Sequence, residues 1–375
     1  MASGDRSPGL DGLRGLAILM VLLTHYGASL NRASLPQHIV RSIFDFGWTG
    51  VDLFFVLSGF LITGILLRSR EAENYFSAFY ARRVLRIFPL YYFSLFVLFL
   101  LVMPNFADAH PPEFWRKIAY FAYIQNWLAP QQWMGQYWTL AVEEQFYLAW
   151  PLVVFCFPRV WVLRIAVGAS ILALVLRFSM LALQVDPEVI LENTFTRMDA
   201  LLIGATCACL LCDDRWTRLV RDHAKWLCFS PAVVIPALYL VDRNLYRKDP
   251  LISGVGYTLI ALSYGALLLS LASTAGERSA LQRLFGSSIL RTLGKYSYAA
   301  YIWHILVRVL VDHLERGVLH VSVVWFVQIP LLIGLTVLTS MLSYSVIERP
   351  FLSLKRYFEP RFTPAPMKAA VTAAQ

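Results

Sequence analysis

Charge is scarce in this chain. Asp, Glu, Lys and Arg make up 15% of its 375 residues, against about 25% in an ordinary soluble domain. Nor is there a long polar stretch in which a separate soluble domain would sit: 58% of residues are hydrophobic and the mean hydropathy is +0.57. The apolar excess runs through the whole sequence, which excludes a typical soluble enzyme, a disordered chain and a soluble domain on one or two anchors. Cysteine is sparse as well. Cys156, Cys207, Cys209, Cys212 and Cys228 lie in or beside apolar segments with no paired CxxC spacing, so neither a metal site nor a required disulfide is expected. Zinc-finger spacing and a basic helix outside the apolar segments are both missing, so the net charge of +9 does not point to nucleic acid. The first apolar run, from near Gly12, lacks a following small-residue cleavage site. It reads as a first spanning helix rather than a signal peptide.

What is present is apolar sequence in lengths that cross a bilayer, about 20 residues each. Ten such segments are found, near 12–30, 45–67, 84–103, 138–157, 162–183, 195–212, 226–241, 251–272, 290–311 and 322–346. The expected fold is therefore all-α, a polytopic bundle of about ten transmembrane helices occupying residues 1–358. Residues 359–375 form a short Pro/Ala-rich tail, expected to be disordered. An eleventh apolar stretch, 118–129, is too short to span and reads as re-entrant or interfacial. With the N-terminus inside, 22 Lys and Arg residues fall on inner segments and helix ends and 8 on outer ones. Cytoplasmic loops are enriched in these residues, so both termini are expected in the cytoplasm, with an even helix count. The longest outer loop, 104–137, mixes Pro, Trp and Gln, which suits a sugar or headgroup surface and equally an interfacial belt.

Ionisable residues inside apolar segments are costly and point to function or to buried pairs. Arg14 and His25 stand eleven residues apart on one predicted helix, close to three turns and about 16 Å of rise, so they share a face. Arg14 at the cytoplasmic mouth suits an anion. A neutral His25 deeper in the membrane suits proton transfer, or a hydrogen-bonded core position. Glu143 and Glu144 are adjacent near an outer helix end; one of them could orient His25 or close an ion pair. Asp52 sits where a carboxylate favours a helix N-terminus. Arg82, Arg83 and Arg86 form an inner basic cluster, read as a positive anchor or as a phosphate site. Arg197 and Asp199 suit an acceptor or inter-helix pairing, and Tyr298 and His304 lie within the ninth segment. Ser58 is followed by Gly59 but is not in a nucleophile-elbow motif, and the pair suits close helix approach.

Several blocks in order carry a resemblance. They are Leu10-Asp-Gly-Leu-Arg14-Gly-Leu-Ala with His25, Gly50-Val-Asp-Leu-Phe-Phe-Val-Leu-Ser-Gly-Phe-Leu-Ile-Thr63, and Arg82-Arg-Val-Leu-Arg86-Ile-Phe-Pro89. Further along come Trp138-Thr-Leu-Ala-Val-Glu-Glu-Gln-Phe-Tyr147, Arg197-Met-Asp-Ala-Leu-Leu-Ile-Gly204, Leu293-Gly-Lys-Tyr-Ser-Tyr298, Trp303-His304 and Glu348-Arg-Pro350. Over about residues 8–358 the sequence resembles the acyltransferase-3 family of integral membrane O-acyltransferases. The resemblance implies ten spanning helices in a bacterial inner membrane. It implies transfer of an acyl group, commonly acetyl, from cytosolic acyl-CoA to a hydroxyl of a glycan or glycolipid acceptor, with membrane lipid as the surrounding partner. It implies His25 as the catalytic centre and Arg14, Arg82, Arg83 and Arg86 in handling the donor. It also brings Glu143 and Glu144, together with Asp52, Trp138, Arg197, Asp199, Tyr298 and His304, near the working cavity. Some relatives acylate macrolides or succinylate glucans, and some carry a C-terminal esterase-like domain, which the short stretch after residue 358 leads one not to expect here. The intramembrane His, Arg and Glu set would equally serve a proton- or solute-coupled transporter, and an inactive glycan-binding scaffold is a third reading.

Overall fold

A computed structural model of the chain describes residues 8–30, 34–106, 112–128, 133–243, 245–277, 279–320 and 323–362. Among them there is helix and no β-strand. The first helices are α1 (Pro8–Gly27), α2 (Leu35–Asp45), α3 (Gly50–Ser69), α4 (Tyr75–Phe96), α5 (Phe114–Phe121) and α6 (Tyr137–Cys156). They are followed by α7 (Arg159–Ala182), α8 (Pro187–Glu192), α9 (Thr194–Leu211), α10 (Asp214–Asp222), α11 (Ala224–Leu227) and α12 (Ser230–Asp242). The last are α13 (Tyr257–Ser273), α14 (Ala280–Phe285), α15 (Ser288–His313), α16 (Trp325–Ser343) and α17 (Arg349–Ser353).

Seven helical stretches among the described residues are long and apolar enough to cross a membrane: Leu35–Ser69, Tyr75–Asn105, Arg159–Ala182, Pro187–Leu211, Ala224–Asp242, Ile252–Ser273 and Trp325–Phe358. The protein is thus an all-α polytopic membrane bundle. The other three segments expected to span are also helical. They are α1, α6 and α15, with 20, 20 and 26 residues. These carry Arg14 and His25, Glu143 and Glu144, and Lys295, His304 and Arg308, and polar residues of this kind lower their apolar content. The short 118–129 stretch falls across α5 and a 3₁₀ turn at Gln125–Trp127. Of the expected disordered tail, residues 363–375 lie outside the described residues.

The residues say which faces meet lipid and which meet protein. On α7, Val160, Ile171, Leu172, Val175 and Phe178 are exposed while Arg177 is fully buried, an outward apolar face around one inward charge. α1 lies along α15, and α3 along α9. Both contacts are backbone-close because glycine stands at them. A Cβ on Gly59 would fall 1.8 Å from the Leu201 carbonyl oxygen, and one on Gly204 would fall 2.0 Å from that of Val56. Gly15 and Gly294 make the same mutual approach between α15 and α1. Small residues let helices in lipid gain dispersion contacts that larger side chains would block. The Ser-Gly step at 58–59 therefore acts through Gly59 in packing.

Candidate functional site

Two cavities lie end to end between α1, α3, α6 and α15. Each helix runs from one cavity into the other. α1 gives Arg14 to the first and His25 to the second; α6 gives Tyr147, Glu144 and Glu143 to the first and Trp138, with Gln136 just before the helix, to the second. α15 passes from Tyr298 to Arg308 in the same sense, and α3 from Ser58 to Val51. Val51 and Tyr301 line both cavities, so they are the wall between them. The first cavity, of about 130 Å³, is lined by Arg14, Arg83 and Arg86. The second, of about 530 Å³, is lined by Trp48, Trp133 and Trp138.

Arginine chemistry dominates the first. The Arg83 guanidinium lies 4.5 Å above the Tyr147 ring, and the Tyr147 hydroxyl is hydrogen-bonded to that of Ser58. Arg86 is 3.4 Å from Glu348 and 5.9 Å from the centre of the Tyr298 ring. Arg14 is 3.3 Å from Asp11. Glu143 and Glu144 face this same cavity. Arg82, the remaining member of the basic cluster, lines neither.

In the second cavity the histidine tautomer follows from its neighbour. His25 Nδ1 is 2.9 Å from the Val21 carbonyl oxygen. A carbonyl only accepts, so Nδ1 carries the proton and Nε2 keeps its lone pair. The His25 ring is thus held by the backbone of its own helix, while Glu143 and Glu144 line the arginine-rich cavity. His304 repeats the arrangement, donating from Nδ1 to the Tyr301 carbonyl oxygen at 2.7 Å. It is fully buried and packs edge-on against His25, ring centres 4.8 Å apart, and it lines neither cavity. Arg308 donates to the His25 carbonyl oxygen and lies 3.6 Å from Asp312.

Two buried ion pairs account for other expected residues. Arg197 meets Asp52 at 2.7 Å, both almost wholly buried, with the Tyr257 ring centre 3.9 Å from the guanidinium. Arg197 reaches the tryptophan-lined cavity and Asp52 does not. Asp199 is held by Arg177 at 2.9 Å and by the Thr258 hydroxyl at 2.6 Å, away from both cavities. Removing one partner of such a pair would strand a buried charge, at about 3–5 kcal/mol. Tyr298 lines the arginine-rich cavity.

Glu192, Arg247, Val51 and Tyr301 line the cavities without standing out in the sequence. Glu192 is 6% exposed and lines the tryptophan-rich cavity, as does Arg247. The one local signal was Glu192 standing before the Asn193 cap of α9, whose side chain accepts from the Phe195 N–H at 2.8 Å. Among the described residues no cluster of three or more His, Cys, Asp or Glu is placed to hold a metal.

The chain is 29% identical over 324 residues to the peptidoglycan O-acetyltransferase of Listeria monocytogenes, covering 79% of this chain and 48% of that protein. It is 30% identical over 371 residues to a protein of Bacillus subtilis provisionally named a peptidoglycan O-acetyltransferase, covering 92% and 54%. A provisionally named O-acetyltransferase of Staphylococcus aureus matches at 29% over 372 residues, covering 92% and 57%. The chain thus spans about half the length of these relatives. No solved structure matches it. The model of the acyltransferase domain matches residues 7–345, nearly all of the bundle and both cavities, and on that extent of agreement the chain belongs to the acyltransferase-3 family.

Proposed function

We propose that this protein is an acyl-CoA-dependent membrane O-acyltransferase. It moves an acyl group, acetyl in the first instance, from a cytosolic donor to a hydroxyl of a glycan or glycolipid on the far side of the membrane. The observation that carries this reading is the end-to-end pair of cavities, with arginines in one and an imidazole with a free Nε2 in the other. The names of the relatives support a cell-wall glycan as acceptor and acetyl as the group moved. In this reading ten helices span, both termini are cytoplasmic, the membrane is a bacterial inner membrane, and the arginine-lined cavity opens inward.

The fit to an acyl-CoA donor rests on charge. Arg14, Arg83 and Arg86 converge where the donor's phosphates would need cations, and guanidinium–phosphate contacts are among the stronger charge-assisted hydrogen bonds. Arg82, outside the lining, adds only to the field. Glu143 and Glu144 line the same cavity and offset part of its positive charge. Past Val51 and Tyr301, His25 Nε2 takes the proton of an acceptor hydroxyl as its oxygen attacks the thioester carbonyl carbon. The tetrahedral adduct collapses, the carbon–sulfur bond breaks, and the imidazolium returns the proton to the leaving thiolate. The products are an ester and free CoA, and His25 ends neutral. His304 holds the His25 ring in place, and the Asp52–Arg197 and Arg177–Asp199 pairs fix α3, α7 and α9 around the site.

The test uses purified protein in nanodiscs with acetyl-CoA and glycan fragments released from peptidoglycan. Wild-type protein should release CoA and add one acetyl mass per acceptor. His25→Gln keeps polarity but lacks a comparable base, and should fall by about 10²–10⁴-fold while still binding acetyl-CoA. Acetylation by His25→Gln at the wild-type rate would remove His25 from the chemistry.

A further inference from the structure

We propose that Glu192 and Arg247 form the sugar-recognition pair of the tryptophan-lined cavity, holding an acetamido sugar by its hydroxyl or amide N–H and its carbonyl. This deepens the acyltransferase reading and rests on it for the placing of acceptor and donor.

Most charges on this lining have partners. Around this cavity Glu188 is 2.5 Å from Lys248, Asp312 is 3.6 Å from Arg308, and Arg197 is 2.7 Å from Asp52. Glu192 and Arg247 are the lining charges with no ion pair within 4.0 Å among the described residues. Glu192 is 6% exposed, and among the described residues its carboxylate oxygens have no hydrogen-bond partner and are not sealed off by protein, so they open to the cavity. A buried carboxylate without a partner is expensive at this depth. It is retained where something else supplies the donors.

The segment bearing it is held firmly. The Glu192 carbonyl oxygen accepts from Asn126 at 3.1 Å, and Asn126 also donates to Thr194 at 2.9 Å. Gln145 of α6 closes the ring, donating to Asn126 at 2.9 Å and accepting from Thr194 at 2.6 Å. Binding groups carried on such a pre-set frame lose little freedom when a ligand arrives.

The lining then selects the ligand. A carboxylate accepts and never donates, so the ligand offers O–H or N–H. A guanidinium only donates, so the ligand also offers an acceptor. The flat faces of Trp48, Trp133 and Trp138 suit the apolar face of a pyranose. The cavity, about 530 Å³, is in the usual range of about 300–1,000 Å³ for small-ligand sites. An acetamido sugar has all three features: ring faces, hydroxyl and amide donors, and a carbonyl acceptor. His25 on the same lining then meets one hydroxyl while Glu192 holds another group of the same sugar.

The experiment measures two affinities on the full chain in nanodiscs, chitotetraose by calorimetry and acetyl-CoA separately. Hydrogen bonds to a charged group lead us to expect a loss of about 10- to 100-fold in chitotetraose affinity for Glu192→Ala. Glu192→Gln, which keeps an accepting oxygen, should fall between, and Arg247→Ala should also weaken the sugar. Acetyl-CoA affinity should be unchanged in all three. Wild-type protein that does not bind chitotetraose, or Glu192→Ala that binds it as wild type does, overturns the proposal. So does parallel loss of acetyl-CoA affinity, because that assigns Glu192 to the fold. Loss of donor binding by the wild-type protein itself is a different result and strikes the acyltransferase reading.

Discussion

Among the arginines, what each already touches decides what its removal would report. Arg86 is 3.4 Å from Glu348, which is 2% exposed. Deleting Arg86 would leave a buried carboxylate without its cation, and lost stability would mask lost binding. Arg83 faces the same cavity, rests on the Tyr147 ring, and has no carboxylate within 4.0 Å among the described residues. Arg83→Ala should therefore weaken acetyl-CoA binding by about 10- to 100-fold. The exposed Arg356→Ala should change it less than about fivefold. Titrations at matched salt would separate the two, and equal affinities would return Arg83 to a purely topological role. Single residues were legible in the sequence where a charge stood in an apolar run, as with Arg14, His25 and Arg197. Partners were not. Nothing in the order of residues says that Asp199 belongs to Arg177 and Asp52 to Arg197, because those contacts join distant segments. Glu192 escaped for a related reason: a carboxylate beside a helix cap looks solvated until the cavity around it is seen.

At the scale of the helix, glycine spacing had more meaning than the apolar count. The ten apolar segments all correspond to helix, and seven have the length and composition of spans. Which helices touch was not contained in their hydropathy, since lipid and helix faces are equally apolar. The contacts at α3–α9 and α1–α15 are instead set by glycines inside the motif blocks, where a Cβ would strike a facing carbonyl oxygen. Gly59→Ala puts a methyl 1.8 Å from the Leu201 oxygen, so the helices must part. Overpacking of this kind costs about 1–3 kcal/mol, and more where backbone is the obstacle. Gly168 on α7 has nothing within 4 Å of its missing Cβ. Gly168→Ala should leave stability unchanged or raise it by up to about 1 kcal/mol, because alanine is the better helix former. Thermal unfolding of both variants in one detergent checks the contrast, and equal melting temperatures would mean that the α3–α9 contact contributes little. α2 shows the limit of apolar counting from the other side. Leu35, Ile39 and Ile43 make an exposed stripe at a spacing of four, a short amphipathic lead-in to α3 that a search for long runs does not see.

For the molecule as a whole, the Lys and Arg distribution and the two cavities make one joint statement about direction. If positive loops are inside, the turn at Gly276 is cytoplasmic and the turn at Gln184 is outside. Alkaline phosphatase fused at Gln184 should then be active and a fluorescent protein at Gly276 should fold, with the reverse pattern inverting the bundle. The cavities add that they adjoin at Val51 and Tyr301. Tyr301 is a fixed part of that wall: its hydroxyl accepts from Thr139 at 2.7 Å and donates to the Gln136 carbonyl oxygen at 3.2 Å, and its ring meets Phe54. Val51 opposes it from the first turn of α3, half-buried and without a polar tether. A larger side chain there should fill the junction without touching Arg83 or His25. Val51→Phe is thus expected to keep wild-type affinity for acetyl-CoA and for chitotetraose while acyl transfer falls by at least about 100-fold, since a misplacement of about 1 Å can cost that much. Thermal unfolding would show whether the added volume disturbs the bundle, and Val51→Ala, which opens the junction, should retain transfer. Normal turnover in a well-folded Val51→Phe protein would mean that donor and acceptor meet elsewhere than across the Val51–Tyr301 wall.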